Sequence, residues 1–303
     1  MIITNKYDLP QAFVNLATEE YQVKPYEYRA TSLLKGFKET LINRQFHDQI
    51  TVDVSDMVWL LFGKAVHYML EQEELKPTEV REQRLYMPFG DYTLSGQFDL
   101  YDYETKKLTD YKTASVWKII HEDYDDWYRQ GAIYAMLMEQ HDMPVDTVEF
   151  VPFLKDHSKT KSLYQGDYPD HAVRKVKFNL TTDDIKWARQ FVADKFEDIA
   201  MFEQMNVNDI PPCTEEERWQ EPSTFAVMKE GRKSALKVEA SEEDAWAWVE
   251  KKVKEKDLPK VNVEHRPGTN KKCLHYCFSS QFCNYYHHHV KPHIKPKQLE
   301  EVV

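Results

Sequence analysis

LSGQFDLYDYETKKLTDYKT, residues Leu94 to Thr113, lies in a segment from Arg84 onward whose apolar period is two. Leu94, Phe98 and Leu100 point one way and Gln97 and Asp99 the other. After the polar turn Glu104 to Lys107, Leu108, Asp110 and Lys112 share a face opposite Tyr111. The pattern predicts a hairpin-like pair with Asp99 on one strand and Asp110 and Lys112 on the next. Two carboxylates and an ammonium at one end of a small sheet can hold a hard divalent cation beside a polarised water. The competing account is a buried Asp–Lys ion pair, but three ionisable groups aimed inward from adjacent strands are costly to bury without a role.

Outward from this stretch the period becomes helical. Before it, Ser55 is a plausible N-cap and Asp56 suits the first turn of a helix through MVWLLFGKAVHYMLEQEE, with Gly63 at mid-helix and His67 and Glu71 four apart on one face. Earlier still, Thr31 or Ser32 can cap a helix within Arg29 to Phe46, with Lys35, Lys38 and Arg44 read as a solvated face. After it, Trp117 to Gln140 is helix-rich. Gln130 and Tyr134 are four apart and can face the site, while Ile133, Met136 and Leu137 read as core. A strand follows over Val145 to Leu154, with Pro152 at its end or edge, then a long polar loop from Asp156 to Asp170. Arg174 to Leu180 alternates as a strand, and Thr181 with Asp184 opens an amphipathic helix in capping-box fashion.

Beyond Pro211-Pro212 come two short strands, FAVMK and SALKVE, a helix capped by Ser241, and a tail containing CLHYCFSSQFC and His287, His288 and His289. Four cysteines are too few for a disulfide scaffold, and Cys273, Cys277 and Cys283 fall close together, with Cys213 as a remote partner. Four thiolates suit either a [4Fe-4S] cluster or structural Zn2+. With 303 residues, 42% hydrophobic and 13% aromatic, the chain can bury a proper core. A net charge of −11 argues against coating nucleic acid by bulk electrostatics, though not against a local basic groove. No export signal or bilayer-length apolar run is visible, which leads to the expectation of a soluble, cytoplasmic protein without membrane partners. Nor is there a Gly-Lys-Ser/Thr phosphate loop, so a helicase motor would be a separate chain.

Gly96-x-x-Asp99, ten residues, then Asp110-Tyr-Lys112, preceded by Gly63-x-x-x-His67 and followed by Gln130-x-x-x-Tyr134, resembles the RecB-like branch of the PD-(D/E)XK nuclease superfamily. The likeness covers roughly residues 30 to 180, extends through the cysteines, and is similar in tone to phage-encoded members. It implies an α/β fold: a restriction-endonuclease-like core with a mixed central sheet flanked by helices, and a cysteine-stapled C-terminal lobe. The implied organisation is an N-terminal helical segment over 1–50, a nuclease core over 51–210, and a lobe over 211–303 belonging to the same folding unit.

The resemblance further implies that Asp99, Asp110 and His67 ligate Mg2+ or Mn2+. Lys112 would polarise the attacking water or stabilise the phosphate, and Gln130 and Tyr134 would shape the site and touch the DNA backbone. Glu71 would be a less secure outlying carboxylate. Cys213, Cys273, Cys277 and Cys283 would hold a [4Fe-4S] cluster like that of CRISPR-associated and helicase-linked relatives, with zinc as the alternative. Two features depart from those relatives: the first pair is spaced by three residues, not two, and the remote cysteine follows the nuclease motifs. The expected activity is metal-dependent exonuclease cleavage at DNA ends in recombination, replication or repair, with a helicase or recombination protein as partner and the host cytoplasm as location for a phage-encoded enzyme. The rivals are an inactive nucleic-acid-binding or assembly protein of the same fold, and a site-specific endonuclease.

Overall fold

A computed structural model describes residues 1–18 and 23–293. The chain divides into two compact units, Met1–Ile210 and Pro211–Val303. In the first unit the strands are β1 (Ile2–Thr4), β2 (Glu27–Arg29), β3 (Thr51–Asp53), β4 (Glu79–Arg81), β5 (Arg84–Phe89), β6 (Tyr92–Gln97), β7 (Leu100–Asp102), β8 (Lys107–Ala114), β9 (Thr147–Leu154) and β10 (Val176–Asn179). Between them lie the helices α1 (Gln11–Ala17), α2 (Ala30–Leu33), α3 (Phe37–Gln45), α4 (Val58–Glu71), α5 (Val116–Ile120), α6 (Asp125–Glu139), α7 (Lys159–Tyr164) and α8 (Thr182–Phe202). Among the described residues no helix is long and apolar enough to cross a membrane.

The architecture is α/β with mixed sheets. The largest sheet runs β10-β9-β8-β7-β4, with β8 and β9 parallel and the other neighbours antiparallel. A second sheet runs β2-β6-β5, and β1 pairs with β3. The parallel β8–β9 pair is joined by α5 and α6, the crossover that a parallel connection requires. From Gln130 to Met138 every residue of α6 is buried, as expected for a helix covered all round. Gly131 lets α6 close on Val148 of β9, and the Trp127 ring stacks on Phe150 at 5.5 Å. On its other side Tyr134 and Leu137 lie against Gly96 of β6, so closely that a Cβ there would stand 2.5 Å from Tyr134 Cε1.

Several local expectations need correction. The helix expected over Arg29 to Phe46 is two, α2 and α3, broken before Phe37 at Gly36. Of its cations Lys35 is solvated, but Lys38 and Arg44 are not. Lys38 is 2% exposed and donates to Ile210 O at 2.6 Å, and Arg44 donates to Glu27 O and Lys24 O with its guanidinium 4.0 Å from the Tyr28 ring. Long cationic stems cover apolar surface, and their heads satisfy carbonyls that would otherwise be orphaned. The cap before α4 is Asp53, whose carboxylate accepts from Ser55 N, and a 3-10 turn over Val54–Met57 leads into the helix. β9 runs through Pro152 because that residue's carbonyl faces Arg174 N, where β10 has already left the ladder, so no ladder hydrogen bond is lost. The loop after β9 contains α7, capped by Ser158. The capping box of Thr181 and Asp184 on α8 is present.

The second unit is built on strands β11 (Thr224–Lys229), β12 (Lys237–Glu239) and β13 (Val261–Arg266), in the order β12-β11-β13, all antiparallel. Helix α9 (Glu242–Lys252) is capped by Ser241 and packs Ala245 and Val249 on Val227. The cysteine-bearing tail follows through the short helix α10 (Lys271–His275) and 3-10 turns.

Gly96→Ala tests the close approach of α6. Overpacking against Tyr134 and Leu137 is expected to lower the unfolding free energy by about 1–3 kcal/mol, read from the urea midpoint, whereas Gly166→Ala, with open space around it, leaves the midpoint nearly unchanged.

Candidate metal centre

Asp99 lies in a bend between β6 and β7, not within a strand as the alternation predicts. The chain changes sheets there, since β6 pairs with β2 and β5 whereas β7 pairs with β4 and β8. Released from any ladder, the Asp99 carboxylate turns to β8 and accepts a hydrogen bond from Tyr111 N at 2.6 Å. Burial pushes its pKa up to about 8, the negative charge of Asp110 adds to this, and the Tyr111 N–H and Lys112 oppose it.

His67, on α4, sets Nδ1 3.6 Å from Asp99 Oδ1 and Nε2 3.1 Å from Tyr111 O. A carbonyl only accepts, so Nε2 carries the proton and Nδ1 presents its lone pair toward Asp99, the tautomer that a metal-binding imidazole needs. Gly63, one turn earlier, faces Thr113 of β8 with room for a methyl group at ordinary contact distance.

The third member of the cluster is Glu82, which sequence reasoning did not single out. One ligand atom from each of His67, Glu82 and Asp99 lies within 4.8 Å of the others. Glu82 occupies the connection of β4 to β5 with φ +50°, a left-handed conformation that costs a non-glycine residue about 1–3 kcal/mol and persists only where its surroundings impose it. Here they do. Its N–H donates to Asp99 O at 3.1 Å, its Oε2 accepts from Gln97 Nε2 at 2.7 Å, and Arg84 in turn donates to Gln97 Oε1 at 2.8 Å. Burial raises its pKa, with the Gln97 hydrogen bond opposing. Nothing periodic in EVREQRLY marks this residue; within Arg81-Glu82-Gln83 it reads as a polar turn. Glu71, on the same helix as His67, lines the same cleft of about 110 Å3 without joining the cluster, together with Glu73, Glu74, Glu79, Arg81 and Tyr111. Carboxylates outnumber cations there, so the cleft attracts a positive ion.

Asp110, Lys112, Gln130 and Tyr134 form an adjoining network at the end of β8. Asp110 is 4% exposed; Gln130 Nε2 donates to its Oδ2 at 3.0 Å, and Lys112 Nζ is 2.7 Å from its Oδ1. That Oδ1 nonetheless accepts no well-directed hydrogen bond. The imidazole nitrogen and two carboxylates of His67, Glu82 and Asp99 are a donor set of the kind that holds Mg2+ or Mn2+. Gln130 is hydrogen-bonded to Tyr134, whose phenol pKa is raised by burial first and then by Asp110 and Asp99. The structure thus brings His67 and Asp99 together with Glu82, and places Asp110 with Lys112, Gln130 and Tyr134.

The four cysteines are all half-buried in the second unit. Among the described residues their sulfurs form no set of three within 4.8 Å, nor do His287, His288 and His289. Tetrahedral zinc, with Zn–S of about 2.3 Å, needs its sulfurs about 3.8 Å apart, so no assembled zinc site is present. The segments that carry them do converge. Buried Arg218 donates to Cys213 O, to Asn270 Oδ1 at 2.8 Å just before the helix bearing Cys273, and packs its guanidinium 4.5 Å from the Tyr285 ring, two residues beyond Cys283.

No family model and no curated protein matches this chain. Among solved structures it is similar to that of SSO0001, at 13% identity over 62% of this chain and 82% of that one with a TM-score of 0.44. It is similar also to an alkaline exonuclease from Laribacter hongkongensis, at 10% identity over 59% and 90% with a TM-score of 0.37. A phage-related exonuclease from Haemophilus somnus 129PT matches at 12% identity over 62% and 78%, with a TM-score of 0.27. At such values the likeness speaks to neither activity nor substrate.

The raised pKa values set the pH dependence. Between the ordinary carboxylate range, about 4, and about 8 the folded metal-free protein binds more protons at Asp99 than the unfolded chain does. Its stability therefore falls as pH rises through that window. In EDTA, Asp99→Asn is expected to melt higher than the parent at pH 8, with the gap closing at low pH. Mn2+ should raise the parent's melting temperature and leave the variant's nearly unmoved, as scanning fluorimetry would show. Glu82→Gln is expected to reduce the Mn2+ shift likewise.

Proposed function

We propose that this protein is a metal-dependent deoxyribonuclease of the PD-(D/E)XK type that hydrolyses phosphodiester bonds at DNA ends. The observation that supports it best is the convergence of His67, Glu82 and Asp99, with buried Asp110 paired to Lys112 at 2.7 Å in the adjoining network. A divalent cation bound to these donors would supply Lewis acidity for the phosphate and a water deprotonated near neutral pH. The chain's own residues do the rest. Nδ1 of His67 and the carboxylates of Asp99 and Glu82 would hold the ion, with Asp110 as the further carboxylate that the resemblance implies. Gln130, fixed by Tyr134, holds one Asp110 oxygen so that the other stays directed into the site. Lys112, with its side chain 24% exposed, can reach a phosphoryl oxygen and neutralise the charge that develops on it. Action at ends, a role in recombination or repair, and a separate motor partner belong to the same proposal, in line with the resemblance carried by Gly96, Asp99, Asp110 and Lys112.

Cleavage of end-labelled linear DNA with Mn2+ or Mg2+ tests the reading. Lys112→Ala and Asp110→Ala are each expected to lower kcat by about 10²–10³-fold or more while retaining a cooperative melt. Equal rates for parent and both variants would sink it. Covalently closed circles cut as fast as linear DNA would remove the end requirement alone.

In the second unit we propose that Cys213, Cys273, Cys277 and Cys283 hold a [4Fe-4S] cluster in preference to zinc. The segments of Cys213, Cys273 and Cys283 meet around Arg218, and four thiolates are the ligand set of such a cluster. The group would staple the tail to Cys213 and take no part in hydrolysis. About four irons per chain and visible absorption in anaerobically purified protein are expected; stoichiometric zinc in a colourless protein would overturn it.

A further inference from the structure

Helix α4 carries more apolar surface than the fold covers. Of its residues only Leu61 and Val66 are buried, while Trp59 is 54% and Phe62 42% exposed. Trp59, Gly63 and His67 follow one another at i, i+4 and i+8, on successive turns of one side of the helix. His67 meets Asp99, Gly63 meets Thr113 of β8, and Trp59 continues the row beyond the end of that strand. There Lys155 stands with Nζ 4.8 Å from the Trp59 ring centroid, and its N–H donates to Ala114 O, the last residue of β8. From His67 to Trp59 the helix spans about 12 Å, which is the length of about three to four stacked nucleotides at 3.4 Å each.

We propose that Trp59 and Lys155 form a stacking subsite for single-stranded DNA, about three to four nucleotides from the scissile phosphate. The indole face receives an unpaired base, and the Lys155 ammonium, already held beside the ring, meets the adjoining phosphate. The inference rests on the nuclease reading and extends it to substrate form: the strand reaches the metal centre unpaired. An overall charge of −11 leaves little attraction for DNA at long range. Affinity must come from local contacts, and base–aromatic stacking is the sequence-tolerant one. A protein partner is the competing occupant, since the Phe62 ring packs edge-on to Trp59 at 6.3 Å; the Lys155 ammonium held 4.8 Å from the indole centroid, a cation set beside an exposed aromatic face, favours a base and its phosphate.

The test measures binding of a short fluorescein-labelled single strand and of a blunt duplex by anisotropy in EDTA, and cleavage of the same single strand in Mn2+. Trp59→Ala is expected to weaken single-strand binding about 5- to 150-fold, raise KM in step, and leave kcat within about twofold. Trp59→Phe should restore most of the loss, Lys155→Ala should weaken single-strand binding and steepen nothing else, and Trp246→Ala in the second unit should bind as the parent does. Each variant is compared at an unchanged melting temperature, which the exposure of Trp59 permits. If Trp59→Ala binds the single strand as tightly as the parent, or loses single strand and duplex equally, while the parent still cuts, this subsite is wrong and the nuclease reading stands. A change in sedimentation of Trp59→Ala at unaltered DNA affinity would likewise overturn it, by assigning the indole to a protein contact. A parent protein that cuts no DNA with any divalent ion removes the nuclease reading and this inference with it.

Discussion

Placing Asp99 and Asp110 near each other in the interior leaves charge where solvation is poor, at a cost of several kcal/mol for each ion without compensation. The surrounding elements can be understood as the means of meeting that cost in part. β8 supplies the Tyr111 N–H and the Lys112 ammonium, α6 supplies Gln130 and, behind it, Tyr134, and α4 supplies His67. The compensation stops short at Asp99, whose pKa stays raised. A cluster with residual negative character, beside a cleft lined mainly by carboxylates, is a place where a divalent cation completes the electrostatics and not merely a place where one fits.

Close backbone approach makes this arrangement possible. Gly96 and Gly131 let α6 lie between two sheets with its whole middle buried, and Gly63 of α4 faces Thr113 of β8. The three positions differ in how much they need glycine. Only Gly96 leaves no room for a methyl group, and its neighbour in the chain, Gln97, is the residue that holds Glu82.

Much of this could be read from the residues in order. Two-residue alternation placed Asp110 and Lys112 on one side of a strand, and four-residue spacing set Gln130 beside Tyr134, because both patterns report purely local geometry. Three things were out of reach for the opposite reason. The bend at Asp99 arises from a change of partner sheet, a nonlocal event that leaves the alternation intact. Glu82 is delivered by a turn whose conformation depends on Asp99 and Gln97, residues distant from it in sequence. Lys38 and Arg44 resemble surface charges in any window, and only the tertiary fold shows that they close off carbonyls at Ile210, Glu27 and Lys24. In the second unit, composition drew attention to the cysteines, while the residue that gathers their segments is an arginine with nothing in its surroundings to mark it.

The left-handed backbone at Glu82 bears on how this chain tolerates change. A glycine or asparagine would occupy that turn with less strain, so a library sorted purely for thermal resistance would be enriched in replacements there, and each would discard a carboxylate from the cluster. Drift toward a sturdier turn is therefore the cheapest route by which a descendant of this protein could keep its architecture and lose this carboxylate from the cluster. The identity of the residue at this one turn would separate working from retired copies more sharply than overall similarity does.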